Sequence, residues 1–106
     1  MTEVNFYTAK NGDIVGFHVY GHSGFAEEGE DIVCAAVSSA VYLVMNTVTD
    51  IMHIEADVQA EDGDAVLRIL SEDAAVCRDL LQGLKLHLLS LEEQYSEFIN
   101  VKNTEV

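Results

Sequence analysis

The longest uncharged run of this chain extends from residue 32 to residue 49, between Asp31 and Asp50. Apolar side chains recur in it at the spacing of a helix, and Asp31 can cap the helix start. A helix that is apolar on nearly all sides must be covered on more than its sheet-facing side. We therefore expect a central helix covered partly by a second subunit, in a homodimer. The apolar residues at this spacing are Val33, Val37, Ala40, Val44, Val48 and Ile51.

Composition argues against two partners that such a chain could have. The uncharged run is long enough to cross a membrane, but Ser38, Ser39 and Asn46 interrupt its apolar surface and no Lys or Arg flanks it. Nineteen acidic and five basic residues give a net charge of −14. This charge repels nucleic acid and anionic membranes and attracts cationic partners, although it can also serve only solubility. We predict no membrane and no direct nucleic-acid partner.

The amino-terminal residues predict a β-hairpin. Residues 3–9 alternate between apolar and polar side chains, as a half-buried strand requires. Asn11-Gly12 then predicts a type I′ turn, which needs two positive φ angles, so residues 3–20 are expected to pair as a hairpin. The side chains expected to face the core are Val4, Phe6 and Thr8 on the first strand and Val15, Phe17 and Val19 on the second.

The second half of the chain repeats the order of strand, strand and helix. Residues 54–60 alternate again, and a turn at residues 61–64 precedes a strand with Leu67 and Ile69. Ser71 can cap a second helix, and residues 98–101 can add a short edge strand before a loose tail at residues 102–106. The buried stripe of this helix is expected to consist of Cys77, Leu80, Leu81, Leu84, Leu88, Leu91 and Tyr95.

These elements predict a single α+β domain over residues 1–106. Its simplest packing is a two-layer sandwich, with a four-stranded antiparallel sheet in the order ββαββα along the chain and both helices on one face. The amino terminus lacks the basic and apolar pattern of a signal peptide, so we expect a cytoplasmic protein. Both cysteines should then be reduced.

His22 and Cys34, twelve residues apart, are the candidate reactive pair. If Asp31 is the N-cap, Cys34 lies in the first helical turn, where free N–H groups and the helix dipole favour a thiolate. An imidazole nearby can accept the thiol proton, so His22 is the candidate base. Gly21, Gly24 and Gly29 lie in the segment before the helix, which we expect to be mobile.

The residues around this pair leave several interpretations open. Asp31 can cap the helix or orient the ring of His22, and Ser38 can hydrogen-bond into the site or simply fill space. Cys34 can also belong to a redox or ligand-binding loop. A zinc site of His18, His22 and Cys34 would need a fourth ligand and lacks the usual paired spacing. Cys77 lies in a leucine stripe and is interpreted as a core residue.

One segment of the chain reads Gly21-His22-Ser23-Gly24, followed by Gly29 and then by Asp31-Ile32-Val33-Cys34-Ala35-Ala36-Val37-Ser38. This segment resembles the ribosomal-processing cysteine protease family, Prp. The resemblance implies that His22 and Cys34 are the catalytic base and nucleophile, that Gly21, Asp31 and Ser38 support them, and that no metal or cofactor takes part. It also implies a homodimer and a substrate-gating loop that includes Ser23, Gly24, Phe25 and Gly29. Ser23 and Ser96 depart from the alanine and proline that are common in the family.

The same resemblance implies a substrate. Members of the family remove a short amino-terminal extension from a large-subunit ribosomal protein, the bL27-type protein near the peptidyl-transferase centre. Two other functional classes remain open from the residues alone. One is a non-enzymatic ribosome-assembly or interaction module in which Cys34 only packs, and the other is a redox-sensing thiol switch.

Overall fold

The structure is a computed structural model that describes residues 1–21, 28–61 and 63–106, with residues 28–31 described by their backbone alone. Seven main elements form in these parts of the chain. They are β1 (Thr2–Thr8), β2 (Ile14–Tyr20), α1 (Glu28–Asn46), β3 (Ala56–Glu61), β4 (Asp64–Ile69), α2 (Arg78–Gln94) and β5 (Ile99–Glu105). A π-helical turn at Thr47–Ile51 continues α1, and a 3-10 turn at Ser71–Asp73 precedes α2.

The strands form one five-stranded mixed sheet in the order β3-β4-β2-β1-β5. The expected α+β class is confirmed, but the prediction of four antiparallel strands is wrong. Residues 102–106, predicted as a loose tail, belong to or directly follow β5, which pairs in parallel with β1 along its whole length. Pairing satisfies backbone groups that the open edge of β1 would otherwise expose. The Val106 N–H even continues the ladder by donating to Thr8 O at 2.8 Å.

One face of the sheet carries the core. Phe6 pairs with Phe17 across β1 and β2, and Phe17 pairs with Leu67 across β2 and β4, so these three fully buried side chains lie on the same face. Buried side chains of α1 and α2 belong to the same cluster. Both helices therefore cover this face, as predicted.

The turn of the first hairpin differs from the predicted type I′ turn. Five residues separate β1 from β2, the Gly12 N–H donates to Ala9 O at 2.9 Å, and Gly12 has a φ of +90° whereas Asn11 has no positive φ. The strand register also shifts beside Tyr7 and Thr8. The shift adds one residue on β2, so Ile14 is buried in place of the predicted Val15.

Helix α1 is longer than predicted and begins at Glu28. Asp31 therefore lies inside the helix, and its predicted role as N-cap is wrong. The buried face of α1 and of the π-helical turn after it consists of Val33, Val37, Val41, Val44, Met45 and Val48, whereas Ala40 is only half-buried and Ile51 is exposed. Residues Ile32–Ile51 are long and apolar enough to cross a membrane by length and composition, a property that core helices share.

Helix α2 begins later than predicted, at Arg78 instead of after Ser71. The residues between form the 3-10 turn Ser71–Asp73 and further turns. The predicted stripe is confirmed, because Cys77, Leu81, Leu84 and Leu88 are buried and Leu80, Leu91 and Tyr95 pack against the core. In this way α2 covers the sheet and leads the chain to β5 at the far edge.

Candidate active site

Cys34 lies on the sheet-facing side of α1, opposite the first residue of β1. Its side chain is half-buried, and its Sγ lies 3.4 Å from Oγ1 of Thr2, within hydrogen-bond distance for sulfur. Thr2 is 3% exposed. The thiol is thus held at the end of the sheet where β1 begins, with part of its surface accessible.

Gly21 leads the chain from β2 to the same place. Glu3 pairs with Tyr20, the last residue of β2, so Gly21 comes beside Thr2 and Met1. Gly21 has a φ of +80°, and its N–H donates to Gly63 O at 3.2 Å. A Cβ on Gly21 would lie 2.9 Å from the carbonyl oxygen of Met1, so this position requires glycine. Gly21 therefore lies beside Met1 and close to Thr2, the residue that contacts Cys34.

The remaining predicted residues of the loop are only partly described. His22, Ser23, Gly24 and Phe25 lie outside the described residues. Gly29, predicted in the mobile loop, lies in the first turn of α1. The side chain of Asp31 is not described, so its predicted role as an orienter of His22 stays a prediction.

The long α1 changes the predicted electrostatics of Cys34. Cys34 is the seventh residue of the helix, about 9 Å along the axis from its start. The unpaired N–H groups belong to the first four residues, and the dipole effect fades within the first turn. The prediction that free N–H groups of the helix start stabilise the Cys34 thiolate is therefore wrong.

Ser38 and His18 take different positions around the site. Ser38 lies one turn after Cys34 and is exposed. His18 lies on the opposite face of the sheet from the core, where its Nε2 is 2.6 Å from Asp64 Oδ1 and its ring packs on Tyr20. Because Cys34 contacts the core face, His18 and Cys34 do not converge, which removes the zinc alternative that combined them.

The second thiol has a different environment. Cys77 is fully buried in the core just before α2, and neither cysteine forms a disulfide. Burial, together with the nearby charge of Asp73, raises the pKa of Cys77. Cys77 therefore stays a protonated thiol near neutral pH, which agrees with its predicted role in packing.

The family comparison decides the class of this protein. The family model of cysteine protease Prp matches residues 1–100 of the 106-residue chain. The chain belongs to the Prp family.

Relatives of the Prp family extend over most of this chain. The ribosomal processing cysteine protease Prp of Staphylococcus aureus (strain Mu50) is 26% identical over 103 residues, which are 95% of this chain and 97% of the relative. The Prp of Bacillus subtilis (strain 168) is 29% identical over 94 residues, which are 83% of this chain and 84% of the relative.

A crystal structure shares the fold. It is that of an essential ribosomal processing protease Prp from S. aureus in complex with a substrate peptide, with a TM-score of 0.88 and 24% identity over 98% of this chain and 100% of that one. The expected resemblance to Prp is confirmed, and the chain is a cysteine peptidase. Membership of this family favours a cysteine peptidase over a non-enzymatic module or a redox switch.

Thr2 contacts Cys34 but is not among the site residues predicted from the sequence. Thr2 follows the inward alternation of Val4 and Phe6, so its position on the core face can be read from the sequence. Its contact with Cys34 joins residues 32 positions apart and depends on how α1 lies on the sheet. The available signal was a polar residue at an inward strand position.

A shallow groove of about 500 Å³ opens at the same end of the sheet. Met1 lines it together with Glu92 and Glu93 at the end of α2 and with Ile99, the residue that pairs with Thr2. The carboxylate of Glu92 accepts a hydrogen bond of 2.6 Å from the Val101 N–H, which fixes one wall. The groove therefore places carboxylates close to the strand that contacts Cys34.

Proposed function

We propose that this chain is a cytoplasmic cysteine endopeptidase that removes the amino-terminal extension of a bL27-type ribosomal protein, using Cys34 as nucleophile and His22 as base. His22 accepts the thiol proton, and the thiolate attacks the scissile carbonyl. The protonated His22 then donates its proton to the leaving amine, and water releases the acyl-enzyme. Gly21, Asp31 and Ser38 support the pair, and the segment with Ser23, Gly24, Phe25 and Gly29 contacts the substrate. No metal or cofactor is needed for these steps.

One observation carries this proposal. The partly accessible thiol of Cys34 lies beside the strand end where Gly21 leads directly into His22, in a chain of the Prp family. The mechanism requires a contact between this thiol and the imidazole of His22, the residue that follows Gly21 in the sequence. Cys77, the other thiol, is buried and has no such access.

Charge supports a basic substrate. The chain has a net charge of −14, and Glu92 and Glu93 line the groove beside β1. An extended peptide with lysine or arginine side chains gains attraction from this field and from these carboxylates. Basic residues of the ribosomal protein are therefore expected to occupy the groove.

The decisive experiment follows cleavage of the extended ribosomal protein by mass spectrometry. Cys34→Ala and His22→Ala should each lower the cleavage rate at least about a thousandfold, since nucleophile and base act as a unit. Cys77→Ala is the control and should retain most of the activity once it is shown to be folded. Cleavage by Cys34→Ala would refute the mechanism, and wild-type cleavage of other peptides alone would refute the substrate.

We further propose that the protein is a homodimer that pairs through the outward side of α1. Ile32, Tyr42 and Leu43 are exposed on this helix, and no charged side chain lies between residues 32 and 49. Two strongly acidic subunits can approach most easily through such an uncharged surface. The exposed apolar area on one helix also supports an interface between copies.

A further inference from the structure

Two threonines on β1 are the buried polar side chains among the described residues. Thr2 is 3% exposed and Thr8 is 8% exposed, and both face the helices. Oγ1 of Thr8 accepts a hydrogen bond of 3.0 Å from Nδ2 of Asn103, so its partner is a neighbouring strand. Oγ1 of Thr2 instead meets Sγ of Cys34 at 3.4 Å. The two threonines therefore lie on the same face of β1, but the hydroxyl of Thr8 contacts a strand and the hydroxyl of Thr2 contacts Cys34 on α1.

The backbone holds Thr2 firmly in place. Its N–H donates to Phe98 O at 2.8 Å, and the residue pairs with Ile99 of β5. A β-branched side chain in a strand has few χ1 rotamers. The hydroxyl of Thr2 therefore reaches Cys34 from a fixed position and not from a mobile arm.

The direction of this hydrogen bond depends on the state of the sulfur. When Cys34 is a thiol, either group can donate. A thiolate has no proton, so the Thr2 hydroxyl must then be the donor, and hydrogen bonds to charged acceptors are the stronger kind. The contact is thus worth more in the reactive form of the cysteine than in the resting thiol.

We propose that Thr2 is a positioning residue that donates a hydrogen bond to the Cys34 thiolate and holds it at the sheet end beside Gly21. This inference rests on the proposed role of Cys34 as nucleophile. It adds a residue outside the segment between Gly21 and Ser38, on an element that is separate in sequence.

The test compares three variants. Thr2→Val removes the hydroxyl at nearly constant shape, and Thr2→Ser keeps it. Thr8→Val is the matched control, since it removes the other buried threonine hydroxyl of β1. Iodoacetamide labelling of Cys34 is followed by mass spectrometry, which separates it from Cys77, near pH 7 and near pH 10. In Thr2→Val the ratio of the neutral rate to the alkaline rate should fall roughly three- to tenfold. Thr2→Ser and Thr8→Val should stay within about twofold of wild type in this ratio.

Peptide cleavage supplies a second measurement. Thr2→Val should lower kcat by a similar factor and leave KM nearly unchanged, because the contact acts on the nucleophile and not on substrate binding. A wild-type ratio in folded Thr2→Val, or an equal fall in Thr8→Val, would overturn the proposal. If Thr2→Val does not fold, the contrast between Thr2→Ser and Thr2→Ala replaces it. Labelling needs no substrate, so a failure of the proposed cleavage leaves this test valid.

Discussion

Gly21 and Gly12 both have a positive φ, but only one of them lies at the site. Gly21 follows β2 with φ +80°, and an added Cβ would come within 2.9 Å of Met1 O. Gly12 has φ +90° in the first hairpin, and an added Cβ there would meet nothing within 4 Å. A side chain at Gly12 therefore adds backbone strain alone, whereas a side chain at Gly21 adds the same strain and a steric clash with Met1, which precedes the strand that carries Thr2.

Substituting these glycines tests that difference. Gly12→Ala and Gly21→Ala should each lose about 1–2 kcal/mol of unfolding free energy, because alanine disfavours positive φ. Gly21→Ala should lose more and should also lower peptide cleavage at least about tenfold, since β1 must shift away from Cys34. Urea unfolding and cleavage rates measure the two effects, and equal cleavage by both variants would contradict this account.

At the residue scale, local sequence patterns predict the residues that pack into the core. Cys77 was correctly interpreted as core because its leucine neighbours recur at helical spacing. The contact of Thr2 with Cys34 cannot be predicted from local sequence, because Cys34 lies on α1 and the position of this helix on the sheet decides the contact. Asp31 is a favourable N-cap residue and so predicts a helix start there, whereas α1 begins at Glu28.

At the scale of elements, an ion pair ties the first hairpin to α2. Nε and Nη2 of Arg78 donate to the two carboxylate oxygens of Asp13 at 2.9 and 3.0 Å. The hydrogen bond from Arg78 lowers the pKa of Asp13, and the same pair raises the pKa of Arg78. A carboxylate whose pKa is lowered by folding stabilises the fold above its unfolded pKa and loses that effect as the pH falls.

Removal of Arg78 should therefore cost stability in a pH-dependent way. Arg78→Met should lower the urea midpoint at neutral pH, and the difference from wild type should shrink as the pH falls below about 4. Lys85→Met is the control, since Lys85 donates to the neutral amide of Asn103. A difference for Arg78→Met that persists unchanged at pH 3 would show that packing, and not the ion pair, is responsible.

The strands show where prediction from sequence stops at this scale. Alternation correctly predicted the first four strands. β1, β2 and β4 each have one face in the core, whereas β3 is exposed apart from Ala56. Most of β5 is polar and exposed, so its sequence lacks the pattern of a half-buried strand. Its formation depends on the open edge of β1, which no local window of residues reveals.

At the scale of the whole molecule, the proposed homodimer depends on contacts between the outward sides of two α1 helices. Leu43 on α1 is 67% exposed and Leu86 on α2 is 68% exposed, so the two leucines form a matched pair in the subunit. Both can accept a charged side chain without disturbing the core. The two leucines differ in their surroundings, because Leu43 lies in the uncharged run of α1 whereas Leu86 follows Lys85 on α2.

Light scattering coupled to size-exclusion chromatography tests this interface. The wild-type protein and Leu86→Glu should have the mass of two chains, whereas Leu43→Glu should approach the mass of one. A buried unpaired carboxylate on each side of an interface is strongly unfavourable. A dimeric Leu43→Glu would place the interface elsewhere, and a monomeric wild type would refute the dimer.

The parallel pairing of β1 with β5 also bears on how the protein can be labelled at the bench. Residues attached before Met1 begin beside the contact of Thr2 with Cys34, whereas residues attached after Val106 begin beside Thr8. These two points lie at opposite ends of one strand, about 20 Å apart. A carboxy-terminal affinity tag or fluorophore leaves the thiol accessible, and an amino-terminal fusion crowds it.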